Sequence, residues 1–400
     1  MSLVLNGTLT QAMAPMFNDA VGRTVSRNWL AFVGRGGGRL IPAMDVKQVT
    51  YEIQRGNRRT SKLVTRTAMA NRLLGSNQKN LDFGSYTQVA RATPLSIEEF
   101  AITNEKLLEK LPGEPTTDSG VTRQFRMRYY AGLAQNEMMK AQIRLMNDLV
   151  GEGIRTGYQT AVTGNTTDLY DFYRNANNII TLGTPWGSNP TTATPLANFD
   201  TAISLGIAES GVMPTIALMG NVAWSSFLQT TEVKDFRTET NSDAFVRIGD
   251  RFTVPAEYAF LTAAGWEAQG IIRTWEGRQL VAFTCESLSD DSSGVPQRCM
   301  PSNEVVLCNA NSRLDGIFGP PETLPETATD ARLYAEWFGF TPGMTPPGEA
   351  SVSGIVSPEM FYLDAIRNET KTAYLMRSQT APLYVPVATD EWITFTNAGA

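Results

Sequence analysis

Asp290 and Asp291 are adjacent carboxylates that could hold a metal ion or share acid–base work, and Gly34-Arg35-Gly36-Gly37-Gly38 could cradle a phosphate. Neither carries the rest of its chemistry. No third ligand or glycine-patterned calcium loop accompanies the aspartates, so they read as a solvated turn. No Lys-Ser/Thr pair follows the glycines, and that run reads as a hinge between an N-terminal arm and the body. The 400 residues include no histidine. That removes Ser-His-Asp and Cys-His nucleophile activation and the H-E-x-x-H zinc site. Cys285, Cys299 and Cys308 are odd in number, fit no C-x-x-C spacing, and read as free buried thiols in a reducing compartment.

The chemistry that remains is electrostatic. Arg55, Arg58, Arg59, Lys62, Arg66, Arg72 and Lys79 form a basic excursion with no acid before Asp82. An acidic block follows at Glu98, Glu99, Glu105, Glu109, Glu114 and Asp118. The basic excursion lacks the interleaved aromatics of a single-strand platform, since Tyr51, Phe83 and Tyr86 fall in the flanking strands. The whole chain carries 34 basic against 40 acidic residues, a net charge of -6, which repels bulk nucleic acid. A protein partner with an acidic surface suits the excursion better, and the next segment of the same chain supplies such a surface.

Several elements must position these blocks. Val49, Tyr51 and Ile53 alternate with Thr50, Glu52 and Gln54 as a strand, and Gly84 to Ala92 returns antiparallel to it, leaving a long polar loop between them. Ser96-Ile97-Glu98-Glu99 has the form of a capping box starting a helix. The favoured alternative is a strand through Ile102 and a short helix from Thr103 to Leu111, ended by Pro112-Gly113. Asp118 to Gly157 is the longest uninterrupted helical pattern. Its apolar beats fall at Phe125, Tyr129, Leu133, Met139, Ile143, Met146, Val150 and Ile154, and at 1.5 Å per residue it would run roughly 55 to 60 Å.

Beyond a polar stretch at 164–195, helices are expected at Leu196 to Ser210, Val222 to Leu228 and Val233 to Thr238. Strands are expected at Thr215 to Met219, Ile271 to Thr274, Gln279 to Cys285 and Glu304 to Cys308. Ser287 to Pro301 reads as a loop, and Met360 to Thr396 as strands packed back on the long helix. There is no leader at Met1 and no apolar run near 18 residues, so neither secretion nor membrane insertion is expected.

This layout resembles the lambda-type (E family) major capsid protein of tailed bacteriophages, with its Hong-Kong-97-type fold. Leu111-Pro112-Gly113-Glu114-Pro115 is similar to the turn before that family's spine helix. Met138 to Gly164, closing on Gly157-Tyr158 and Gly164, is similar to the spine helix and its exit. Trp224, Phe227 and Val233-Lys234-Asp235-Phe236-Arg237 resemble axial-domain helices. Glu304 to Ala310 resembles a late strand, and Ser378-Gln379-Thr380-Ala381-Pro382-Leu383 with Asp390-Glu391 resembles the C-terminal one.

The resemblance implies an α+β chain: an N-terminal arm at 1–45, an extended β-hairpin loop at 46–95, a peripheral domain at 96–163 and 350–400 with its spine helix at 118–157, and an α/β axial domain at 164–349. It implies no catalysis and no cofactor. The subunit would assemble with itself into hexamers and pentamers of an icosahedral shell enclosing double-stranded DNA, in the host bacterial cytoplasm, and end in the virion. The basic loop residues of one copy would lie on the acidic residues of its neighbour. A separate scaffolding protein, a portal protein and, in shells that use one, a cementing protein are the implied partners. Three alternatives stay open: an encapsulin-like compartment subunit, a histidine-free carboxylate enzyme built on Asp290 and Asp291, and a nucleic-acid-binding module using the basic excursion.

Overall fold

The computed structural model describes residues 28–42, 48–54, 86–111, 119–163, 166–239, 254–290, 296–319, 362–367 and 373–400. After a single 3-10 turn at Trp29–Phe32 come β1 (Leu40–Pro42), β2 (Gln48–Gln54), β3 (Tyr86–Ala92) and β4 (Ser96–Thr103), which precede the 38-residue helix α1 (Ser119–Thr156). Next are β5 (Tyr158–Thr163), β6 (Thr166–Asp171), β7 (Ile179–Ile180), α2 (Pro195–Ser210), β8 (Ile216–Met219), α3 (Asn221–Gln229), α4 (Thr231–Glu239) and α5 (Ala259–Ala263). The chain then supplies β9 (Glu267–Arg273), β10 (Gln279–Thr284), β11 (Leu288–Asp290), β12 (Pro296–Arg298), β13 (Val305–Cys308) and β14 (Leu314–Phe318). Last come β15 (Tyr362–Arg367), β16 (Ala373–Thr380), β17 (Pro382–Pro386) and β18 (Ile393–Phe395). No helix among the described residues is long and apolar enough to cross a membrane.

Helix α1 runs without proline or internal breaker and stops where Gly157 adopts φ +81°, a left-handed conformation that lets its N–H close on Gly153 O. Ile143, Met146, Val150 and Ile154 of this helix are buried, and they cover one face of a six-stranded sheet of order β7-β18-β13-β8-β10-β9. Strand periodicity explains the two-sided core. Ile216, Leu218, Val281, Phe283, Val306 and Cys308 face α1, while Ala217, Met219, Leu280, Ala282, Val305 and Leu307 face α2 and α3. Because both faces are covered, the central strands are nearly continuous apolar runs.

The N-terminal segment is part of this core and does not behave as an arm on a hinge at residues 28–42. Trp29, Leu30 and Phe32 are fully buried between α1 and the sheet. The Trp29 ring lies over Gly151, where any Cβ would strike it, and meets Trp266 edge-on at 5.2 Å. Its Nε1 donates to Cys299 O at 2.9 Å, and its backbone N–H donates to Asn147 Oδ1 at 2.8 Å. The glycine run then threads past the turn before β14. A Cβ on Gly36 would overlap the Asn311 carbonyl, and Gly34 N–H donates to Leu314 O. Close backbone approach at Gly36 and Gly38 and left-handed φ at Gly34 and Gly37, not flexibility, explain glycine there. The run leads into β1, which pairs parallel with β14, itself antiparallel to β17.

Two further expectations change. Peripheral residues were expected at 350–400, yet Ile393–Phe395 lie inside the six-stranded sheet, antiparallel to β13 and parallel to β7. Ile393 and Phe395, both buried, gain more there than on a solvated sheet. The 287–301 loop contains the β11–β12 hairpin. Asp290 ends β11, and Asp291 lies outside the described residues.

Arg174 sits where α1, β18 and the loop before β7 converge. Its guanidinium donates to Ile154 O, Arg155 O, Asn178 O, Trp392 O and Thr394 Oγ1, at 2.6 to 3.0 Å. Burial pulls its pKa down to about 9, opposed by the Asp390 carboxylate, so at neutral pH it remains the cation. Two of those acceptors are carbonyls at the negative end of α1, which a buried positive charge favours. The residue before it, Tyr173, is held at φ +52°, and Asp171 Oδ1 accepts from its N–H at 2.7 Å.

Replacing Trp29 by Ala is expected to cost about 3 to 5 kcal/mol of stability, because it leaves a cavity against Gly151 and removes the hydrogen bond to Cys299 O. Chemical denaturation followed by circular dichroism reads this directly. A change under about 1 kcal/mol would mean the segment is not part of the core.

Candidate assembly surface

The acidic block is split between a strand and a turn. Strand β4 pairs antiparallel with β16, Glu98 opposite Ser378 and Glu99 opposite Arg377, in a three-stranded sheet of order β15-β16-β4. Glu98 and Glu99 are both exposed although successive side chains point to opposite faces, so this end of β4 is solvated on both sides. Only Ile102, further along, is buried. The strand through Ile102 is therefore present, and the capping-box helix is not.

In place of the short helix expected from Thr103, the chain makes tight turns. Leu107 N–H donates to Thr103 O, and Glu109 N–H to Glu105 O. Leu107 drops into a small core with Ile102, Met127, Tyr130, Ala134 and Met138, and Arg126 Nη1 clamps the turn by donating to Leu107 O at 2.9 Å. That anchoring presents Glu105 and Glu109 to solvent, with Leu108 78% exposed beside them. Tyr130 donates its hydroxyl to Glu109 Oε2 at 2.9 Å, and the bond to that carboxylate raises the phenol's pKa. Lys106 and Lys110 lie in the same turn and dilute its negative charge. Lys106 is occupied over the Phe100 ring at 4.4 Å. Glu114 and Asp118 lie outside the described residues.

The small core also corrects the phase of the long helix. Its N-terminal half buries Met127, Tyr130, Ala134 and Met138, while Tyr129 and Leu133, expected on the buried face, are 48% and 40% exposed. Both stripes have helical spacing and both are apolar. Periodicity alone could not choose between them.

The basic excursion is described only at its root. Strands β2 and β3 pair in unbroken antiparallel register from Gln48 opposite Ala92 to Gln54 opposite Tyr86. Ile53 anchors the ladder in a cluster with Tyr170, Phe172, Ile317, Leu383 and Val385. Arg55, Arg58, Arg59, Lys62, Arg66, Arg72 and Lys79 fall outside the described residues.

Chemically, the surface of β4, the turn and the first half of α1 offers carboxylates and scattered apolar side chains. No group of three metal-ligating side chains occurs among the described residues. What such a surface can do is receive a basic, partly apolar partner. Each exposed ion pair supplies about 0.2 to 1 kcal/mol, so useful affinity needs many pairs or many repeats.

Comparison with known proteins adds the following. Residues 149–397 match the family model described as phage major capsid protein E. No curated protein matches the sequence. Among solved structures, a prophage capsid protein of Escherichia coli CFT073 is similar at 12% identity, with a TM-score of 0.59 and 94% of each chain covered. A phage-related protein of Bordetella bronchiseptica RB50 has 11% identity, a TM-score of 0.42, and 96% of this chain and 97% of that one covered. The SrpI encapsulin of Synechococcus elongatus has 9% identity and a TM-score of 0.38, over 94% of this chain and 89% of that one.

The two helix stripes respond differently to charge. Leu133→Asp is expected to shift stability by no more than about 0.5 kcal/mol, whereas Met138→Asp costs several kcal/mol because it buries an unpaired carboxylate. Denaturant midpoints of the two variants measure the difference, and equal losses would mean Leu133 is covered within the subunit.

Proposed function

The chain belongs to the phage major capsid protein E family, and from that premise we propose how it builds its shell. It is a major capsid protein with the Hong-Kong-97-type α+β fold, a structural subunit that assembles with copies of itself. The observation that carries this is the match over residues 149–397, which runs from the last turns of α1 through β18 and so takes in every strand of the six-stranded sheet.

In the finer reading, the subunit forms hexamers and pentamers of an icosahedral shell around the double-stranded DNA of a tailed phage, without catalysis. It assembles in the host cytoplasm and ends in the virion. An extended loop rises from the β2–β3 ladder. A peripheral unit comprises α1 with β4, β15 and β16, and an axial unit is built on the six-stranded sheet. The basic residues between Arg55 and Lys79 of one subunit lie across Glu98, Glu99, Glu105 and Glu109 of its neighbour, and across Glu114 and Asp118.

Charge separation within one chain supports this contact. Seven basic residues and no acid occupy 55–81, while the described acids on β4 and its turn are solvent-facing. A folded subunit gains little from such separation, but neighbours in a ring gain at every joint. Weak individual pairs also let misplaced subunits leave before the shell closes. The net charge of -6 keeps the shell from gripping packaged DNA. A separate scaffolding protein and a portal protein complete the assembly, with a cementing protein where the shell uses one.

Negative-stain electron microscopy of the purified chain, alone and with a candidate scaffolding partner, tests the reading. Closed shells or ring-shaped capsomers are expected, and a small uniform particle that never assembles would overturn it. Shells filled with protein cargo and free of DNA would point to a compartment subunit instead. The triple reversal Arg58→Glu, Arg59→Glu, Lys62→Glu is expected to abolish shells while leaving circular dichroism native. Normal shells from that variant would refute the loop-to-neighbour contact.

A further inference from the structure

Glu109 and two tyrosines of α1 stand together on the open surface beside β4. Tyr130 donates its hydroxyl to Glu109 Oε2 at 2.9 Å, and the Tyr129 and Tyr130 rings meet edge-on with centroids 5.5 Å apart. Tyr130 is rooted in the small core and so fixes the carboxylate, whereas the Tyr129 ring is open to solvent. Leu133, one turn further along the same face of the helix, is exposed as well.

The nearest cations are engaged elsewhere. Arg126 Nη1 donates to Leu107 O, and Lys106 lies over the Phe100 ring and donates to Ala101 O. Glu109 itself forms no ion pair with any described residue. An exposed carboxylate held next to an exposed aromatic face can serve both sides of a guanidinium, which pairs with the acid in its plane and stacks on the ring. The Lys106–Phe100 contact shows the same attraction already at work within this surface.

We propose that Glu109, Tyr129 and Tyr130 form a cradle for an arginine side chain of a second copy of this chain, the guanidinium on Glu109 and the Tyr129 ring and its methylenes against Leu133. This rests on the reading above, in which the acidic surface of one subunit meets basic residues of another, and it names the contact that aims the meeting.

Charge complementarity selects the occupant, since the chain carries five arginines and no acid between Arg55 and Arg72. Position selects a second copy over the same chain. The β2–β3 ladder, from which that segment leaves, is rooted by Ile53 in a cluster with Phe172, and Phe172 Cε2 would stand 3.2 Å from a Cβ on Gly153. Tyr129 lies about 36 Å from Gly153 along α1, at 1.5 Å per residue. The chain's own loop would have to return along most of that helix to reach the cradle.

Assembly of the full chain, followed by light scattering and sedimentation, tests the cradle. Tyr129→Leu keeps an apolar side chain but removes the ring, and Glu109→Gln keeps an acceptor for Tyr130 but removes the charge. Each is expected to raise the threshold concentration for shells or rings roughly tenfold with native circular dichroism, while Tyr129→Trp preserves it. Unchanged thresholds in either of the first two variants would overturn the proposal. So would a lowered melting temperature of Tyr129→Leu far below the assembly threshold, which would place the contact inside one chain. A wild-type chain that never assembles defeats the capsid reading and not the cradle. A synthetic peptide of residues 55–79 then decides, by fluorescence anisotropy on the unassembled full chain: roughly tenfold weaker binding to both variants is expected, and equal binding, or none to the wild type, rejects the cradle.

Discussion

The Arg174 guanidinium is the tie on which the arrangement of this chain depends. Half-buried at this joint, it satisfies two carbonyls at the end of α1 and three acceptors on the loop before β7 and at the start of β18. Its two terminal nitrogens are met while its Nε has no partner among the described residues, and the acceptors come from segments more than 200 residues apart in sequence. The direction of α1 and the position of β18 are therefore set together. Arg155 adds a second tie from the same helix end, an ion pair to Glu304 at 2.9 Å, on the loop before β13.

Around that joint the core is assembled from remote pieces. The helix offers a glycine where Trp29 must lie, the sheet offers alternate apolar residues to two layers, and Trp266 and Trp392 close the sides against Trp29 and Phe32. The interior is dense and aromatic, while the surface from β4 to the first half of α1 is open, acidic and thinly apolar. This division suits a subunit whose body must stay rigid while its margins meet other subunits many times with modest strength.

Much of this was legible in the sequence and some was not, for physical reasons. The long helix was, because its period persists for ten turns and ends on Gly157. The central strands Ile216–Met219 and Val305–Cys308 were too, as short apolar runs bounded by turn residues. The buried face of the helix was half legible, since Tyr129 and Leu133 compete with Met127, Tyr130, Ala134 and Met138 at the same spacing. Trp29 to Phe32 are only weakly periodic, readable as an amphipathic turn, and their hydrogen-bond partners stand 117 residues away or more, so their burial could not be read locally. Glycine placed for close approach looks the same in sequence as glycine placed for flexibility, which is why the run at 34–38 reads as a hinge. Arg174 lies in a polar stretch whose pattern says only loop. Of the acidic block, the residues on β4 and its turn are solvent-facing, whereas the basic excursion is seen only through the strands that frame it.

The place of β18 has a consequence in time. It lies between β7 and β13 in the six-stranded sheet, yet it is built from residues 393–395, so the sheet closes only after the whole stretch from β7 to β18 has been made. At about 5 to 20 residues per second, making that stretch takes roughly 10 to 40 seconds. Until then β13 has an unpaired edge and Arg174 lacks two of its five acceptors, Trp392 O and Thr394 Oγ1. A growing chain that lacks β18 thus presents no finished body, and copies become competent to meet one another only once that strand is in place.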